Sequence, residues 1–112
     1  MRRSLLVVDD NPADARLVRE AFGPDSGVDL HEAGDATEAI AFLERRACDL
    51  VLLDLNLPGA NGHELLADIR SREALRALPV VVFSTSDAPQ DIRRAYAGGA
   101  NCFVTKPGQL DA

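Results

Sequence analysis

The stretch Leu50-Val51-Leu52-Leu53-Asp54-Leu55-Asn56-Leu57-Pro58 decides the fold. Four branched, uncharged residues run straight into one carboxylate. A run this short reads as a strand buried on both faces. Two further runs end in the same way. Leu5-Leu6-Val7-Val8 leads into Asp9-Asp10, and Phe103-Val104-Thr105 leads into Lys106-Pro107. In an open parallel sheet the carboxyl ends of the strands gather at one edge, and ligands bind there. Three carboxylates and one ammonium therefore meet in one crevice, which suits a divalent cation and a phosphoryl group.

Helical patterns fill the intervals between strands. Asn11-Pro12 is an N-cap followed by proline at the first helical position. Leu17, Val18, Ala21 and Phe22 follow at helical spacing, and Gly23-Pro24 ends the helix. Val28 to Ala33 alternates as a half-exposed edge strand does. Asp35-Ala36-Thr37-Glu38 has the form of a capping box, and Ile40, Leu43 and Ala47 continue that helix's apolar face. Asn56 to Gly62 is a turn-rich loop, and the next helix carries Leu65, Leu66 and Ile69. Pro79 opens the strand Val80 to Phe83. Asp87-Ala88-Pro89-Gln90 starts a fourth helix, with Ile92, Ala95 and Tyr96 inward and Gly98-Gly99 at its end. The order βαβαβαβαβ predicts one α/β domain over residues 1–112, doubly wound, with helices on both faces of a parallel sheet and right-handed crossovers. Gly108 to Ala112 can begin a fifth helix but not complete one, so that helix is expected to be truncated or absent.

Of the 112 residues, 46% are hydrophobic, which places the chain among globular domains. A net charge of −6 excludes the basic stripe that nucleic-acid binding needs. No run approaches a membrane span, and the N-terminal apolar stretch is too short for a signal peptide. Cys48 and Cys102 read as buried thiols in a reducing cytoplasm. His31 and His63 lack metal-ligand spacing and read as surface residues. Dinucleotide- and nucleotide-binding glycine motifs are absent from the sequence.

Clustered carboxylates repel, and a hard cation relieves them. Mg²⁺ takes one or two carboxylates together with water and phosphate oxygens. Any one of Asp9, Asp10 and Asp54 alone could be a loop or helix cap; three at the ends of buried strands point to a metal site. Lys106 opposite them has a carboxylate as its partner, or a phosphoryl oxygen after group transfer. Ser84 can donate to the same group, while Ser86 or Asp87 can cap the following helix.

These residues give the chain its resemblance to the receiver domains of two-component response regulators, over essentially all 112 residues. Asp9-Asp10 matches the family's acidic pair, Asp54 its phosphoacceptor, Ser84 its Ser/Thr position, Lys106-Pro107 its Lys-Pro, and Phe103 its aromatic switch position. Asp10-Asn11-Pro12-Ala13-Asp14, Ser84-Thr85-Ser86 and Ala100-Asn101-Cys102 further resemble the single-domain regulators that partner phytochrome-type histidine kinases.

The resemblance implies a flavodoxin-like fold with strand order 2-1-3-4-5. It implies a signalling phosphoacceptor that catalyses its own phosphorylation and dephosphorylation, not a turnover enzyme. Asp54 would take a phosphoryl group from the phosphohistidine of a sensor histidine kinase or phosphotransfer protein. Mg²⁺ would be held by Asp10, Asp54 and the backbone carbonyl of Asn56, with Asp9 acting through water. Lys106 and Ser84 would hold the product oxygens, Phe103 would rotate inward, and Asn56 and Ser86 would set the phosphoryl lifetime. Thr85, at a position often smaller in the family, would narrow the entrance. A short C-terminus would leave apolar side chains of the first, third and fifth strands bare, to be covered by further chain or by a second copy in a dimer. The rival reading is a phosphohydrolase of the haloacid-dehalogenase type. It needs an aspartate two residues after the nucleophile, where this chain has Asn56, and a cap domain for which there is no room.

Overall fold

The computed structural model describes residues 2–107. The expectation for a fifth helix concerns Gly108 to Ala112 and lies outside them. Five parallel strands form one sheet: β1 (Arg3–Val8), β2 (Val28–Ala33), β3 (Leu50–Leu53), β6 (Val80–Ser84) and β7 (Cys102–Thr105). Their spatial order is β2-β1-β3-β6-β7. That is the expected 2-1-3-4-5, because β4 (Asn56–Leu57) and β5 (Ala60–Asn61) pair only with each other. This small antiparallel ribbon was expected as plain loop. Pro58-Gly59 turns it, and Gly59 at φ +71° supplies the positive φ such a turn demands.

Four helices connect the strands: α1 (Pro12–Ala21), α2 (Ala36–Arg45), α3 (Gly62–Ser71) and α4 (Pro89–Ala97). Their caps explain where they start. Asn11 accepts from the Ala13 N–H, Asp35 from Glu38 N–H and Asn61 from Glu64 N–H. Among the described residues only half of the expected capping box forms, since Glu38 makes no return bond to Asp35. Ala47 lies beyond the end of α2 and is exposed.

The larger core lies on one face of the sheet. Leu6, Val8, Val51, Leu53, Val80 and Val82 meet Leu43 of α2, Leu65, Leu66 and Ile69 of α3 and Ala95 of α4. The opposite face has a thinner core, in which Leu5 and Val7 pack against Val18 of α1. Leu5 and Val7 of β1 are therefore buried, contrary to the expectation that the strand's apolar side chains on this face meet water. Exposure falls instead on Leu17, Phe22 and Val104, which with Leu52, Val81 and Phe83 line an apolar groove of about 290 Å³.

Three further expectations are corrected. The third apolar run is not buried on both faces: β7 is an edge strand and its Val104 is 43% exposed. Tyr96 is 48% exposed, because Ala95 takes the inward position of that turn. Its hydroxyl instead accepts the N–H of Phe103 at 3.1 Å, occupying an amide of the edge strand. Cys102 is likewise exposed on β7, and Cys48 is half-buried; both are free thiols.

Candidate functional site

The carboxyl ends of β1, β3, β6 and β7 bring the expected residues together. Lys106 is fixed by its backbone first, its N–H donating to the Ser84 carbonyl at 2.7 Å, so that β6 carries the end of β7 into the cleft. Its ammonium donates to Asp9 at 2.7 Å, to Asp14 at 2.8 Å and to Asp54 at 3.3 Å. All four residues are buried. The ammonium also lies 5.4 Å from the centroid of the Phe83 ring.

The second oxygens of Asp9 and Asp54 are held by local backbone. Asp9 accepts from the Asn11 N–H at 2.9 Å, and Asp54 from the Asn56 N–H at 3.2 Å. Asp10 is exposed at the mouth. Oxygens of Asp9, Asp10 and Asp54 lie within 4.8 Å of one another, an all-oxygen donor set that fits a hard divalent cation.

Electrostatics follow from this packing. Burial lifts the Asp54 carboxyl above its ordinary value, and the charge of Asp9 adds to that. The Asn56 N–H and the Lys106 ammonium pull the other way. For Lys106, burial disfavours the charged form, but hydrogen bonds to Asp14 and Asp9 and the charges of Asp54 and Asp9 outweigh it, and its pKa is raised. The site thus concentrates negative charge around an anchored ammonium.

Ser84 is fully buried at the end of β6, and its Oγ accepts the Ser86 N–H at 3.2 Å. Thr85 is exposed beside it. The Ser86 hydroxyl donates to Asp91 Oδ2 at 2.6 Å and accepts from the Ala88 N–H at 3.3 Å, so it supports the start of α4, whose N-cap Ala88 has no side chain to do so. Phe103 is half-buried on β7, adjacent in register to Val82.

Three site features were not assigned from sequence. Asp14 is the foremost. It entered only as the last residue of the Asp10-to-Asp14 stretch, with no role assigned, and its place in the first turn of α1 reads simply as a complement to the helix dipole. Gly62 is the second. A Cβ there would collide with the Asp54 carbonyl oxygen and stand 2.7 Å from Leu55 Cα, so α3 starts hard against the back of the site. The third is His63, expected at the surface. Its side chain is only 10% exposed, and among the described residues its buried Nε2 has no hydrogen-bond partner, with Asp91 Oδ1 at 3.9 Å.

Comparison with known proteins places the chain in a family. The response regulator receiver domain family matches residues 5–112. The chain is 40% identical over 112 residues to the probable methanogenesis regulatory protein FilR2 of Methanothrix harundinacea, covering 92% of this chain and 71% of that protein. It is 39% identical over 116 residues to response regulator Rcp1 of Synechocystis, covering 95% and 78%. The crystal structure of the phosphorylated cyanobacterial phytochrome response regulator RcpA superposes with a TM-score of 0.91 at 38% identity, over 98% of this chain and 84% of that one. An Mn²⁺-bound form of Rcp1 superposes at 0.86 with 36% identity, over 94% and 81%. The chain belongs to the response regulator receiver domains, the phosphoacceptor modules of two-component signalling.

Proposed function

We propose that Asp54 accepts a phosphoryl group from the phosphohistidine of a sensor histidine kinase or phosphotransfer protein, the whole chain acting as one receiver domain. One observation carries this reading: an ammonium bonded to Asp9 and Asp54 at the sheet edge where three carboxylates converge. The Asp54 carboxylate attacks phosphorus in line, and the imidazole nitrogen departs with the bonding electron pair. Mg²⁺, held by Asp10, Asp54 and the Asn56 carbonyl with Asp9 acting through water, would neutralise charge on the transferring group.

The residues of the chain do the rest. Lys106 transfers one N–H from Asp54 to a product oxygen. The Ser84 hydroxyl, which donates to nothing among the described residues, donates to another. Moving Ser84 inward breaks its bond to the Ser86 N–H and frees space toward Phe103, whose N–H is tied to Tyr96 of α4. The surface of α4 and β7 changes as a result. Asn56 and Ser86, both uncharged, set the lifetime without acting as strong bases, and exposed Thr85 narrows the entrance.

Similarity to the phytochrome response regulator RcpA supports a phytochrome-type kinase as the donor, and a cytoplasmic setting belongs to the same reading. A second copy of the chain covering the groove of Leu17, Phe22 and Val104 is the dimer this reading includes. Sedimentation at low concentration tests it, and a monomer removes it.

The central test is incubation of the purified chain with acetyl phosphate and Mg²⁺, followed by intact mass. A stable aspartyl phosphate that vanishes in Asp54→Asn is expected. Steady phosphate release without an accumulated adduct would favour the hydrolase reading, and no reaction would leave a binding module.

A further inference from the structure

Asp14 has no part in the reaction as described, yet its carboxylate is buried and bonded to the site's ammonium. A buried carboxylate persists only with a charged or well-bonded partner. Among the described residues Lys106 is the single hydrogen-bond partner of that carboxylate. Asp14 is reached through α1: Asn11 caps the helix, Pro12 opens it, and Asp14, Ala15 and Val18 form the face turned to the sheet.

The distances around Lys106 Nζ are uneven. Its bonds to Asp9 and Asp14 are short, at 2.7 and 2.8 Å, and the one to Asp54 is long, at 3.3 Å. An ammonium has three protons, so each carboxylate takes one. Asp14 therefore does two things at once. It draws the ammonium toward α1, and it cancels a positive charge that would otherwise neutralise Asp54.

We propose that Asp14 is a positioning residue that seats Lys106 on the α1 side of the cleft, leaving Asp54 free for a divalent cation and for attack on phosphorus. This inference rests on the receiver reading above for its consequence, and on the Lys106 geometry for its content. Without Asp14 the ammonium closes on Asp54 and competes with the cation. With it, Lys106 needs to move only its third N–H when a phosphoryl oxygen arrives.

The test is Mg²⁺ affinity by NMR titration in a double-mutant cycle. Asp14→Asn keeps the volume and removes the charge, and half-saturating Mg²⁺ should rise roughly threefold or more. In a Lys106→Met background no ammonium competes for Asp54, and the same substitution should then shift the midpoint less than about twofold. Equal shifts in both backgrounds would mean that Asp14 acts by charge alone and would overturn the proposal, as would no shift in the parent.

A second measurement needs no variant. In the parent chain a scalar coupling across the hydrogen bond between Lys106 Nζ and the Asp14 carboxyl carbon should be present with and without Mg²⁺. Its absence in both states overturns the proposal even if the variants do not fold. If the parent takes no phosphoryl group, the receiver reading fails while this coupling still decides the seating of Lys106.

Discussion

Ser86 Oγ lies 2.6 Å from Asp91 Oδ2, which ties the residue two positions beyond Ser84 to the first turn of α4. The hydroxyl also receives the Ala88 N–H. Ser86 is thus part of the helix start as well as a neighbour of the site. Ser86→Ala should cost about 1 kcal/mol, as lost N-terminal caps do, and lower the melting temperature by about 4–8 °C. A bulky or charged residue there should also change the decay of the aspartyl phosphate several-fold. Heat melts and a phosphate-loss time course read the two effects; no change in either would return Ser86 to the role of an ordinary surface serine.

Asp54→Asn should abolish phosphorylation and stabilise the metal-free chain at neutral pH. The sign follows from the raised pKa of Asp54, caused first by burial and then by Asp9. Above the folded pKa the carboxylate is ionised in both folded and unfolded chains, and the fold carries the penalty. As pH falls through the folded pKa, the fold takes up the proton and the penalty is relieved. The advantage of the variant should therefore shrink toward acid. Melts of both proteins in chelator across the acidic range test this, and a variant less stable than its parent at neutral pH would refute it.

Divalent cation should stabilise the parent by mass action, about 2.7 kcal/mol at a hundredfold excess over the dissociation constant. Asp10→Ala and Asp54→Asn should each lose most of that gain, and chelator should reverse it in the parent. Calorimetric melts with and without Mg²⁺ check it. Undiminished stabilisation of both variants would move the metal away from these carboxylates.

His63 should make the fold acid-sensitive. Its pKa is lowered from 6.5, chiefly by burial and then by Arg94, with Asp91 acting in the opposite direction. A histidine kept neutral by the fold contributes stability that is present above its unfolded pKa and lost as pH falls below it. His63→Gln should flatten the decline in stability between neutral and mildly acidic pH. Denaturant midpoints measured across that range would show equal slopes for the two proteins if His63 plays no part.

How far the sequence could be read depends on which residues declare themselves locally. Asp9, Asp10, Asp54, Ser84 and Lys106 all lie where an apolar run stops, so a pattern along the chain locates them. The parallel order of the sheet follows from the same alternation. Asp14 does not declare itself, because the partner that its buried carboxylate bonds, Lys106, lies 92 residues further along the chain. Tyr96 was misplaced because helical spacing fixes a face only to within one residue, and Ala95 holds the inward position. Val104 looked buried because a run of apolar residues does not reveal that its strand lies at an edge. His63 was placed at the surface because nothing local shows that α4 will pack over it.

Gly62 gives the site a direction. With α3 seated directly behind the backbone of Asp54 and no space for even a methyl group, Asp54 cannot recoil on that side. If Asp54 takes the phosphoryl group as proposed, its bulk would have to be absorbed across the cleft, where Ser84, Thr85 and Lys106 lie. The flank of α2 and α3 would then be blind to the state of Asp54, while the flank of α4 and β7 would report it. Amide shifts on phosphorylation should gather at α4 and β7, and equal shifts along α3 would remove this division of the surface.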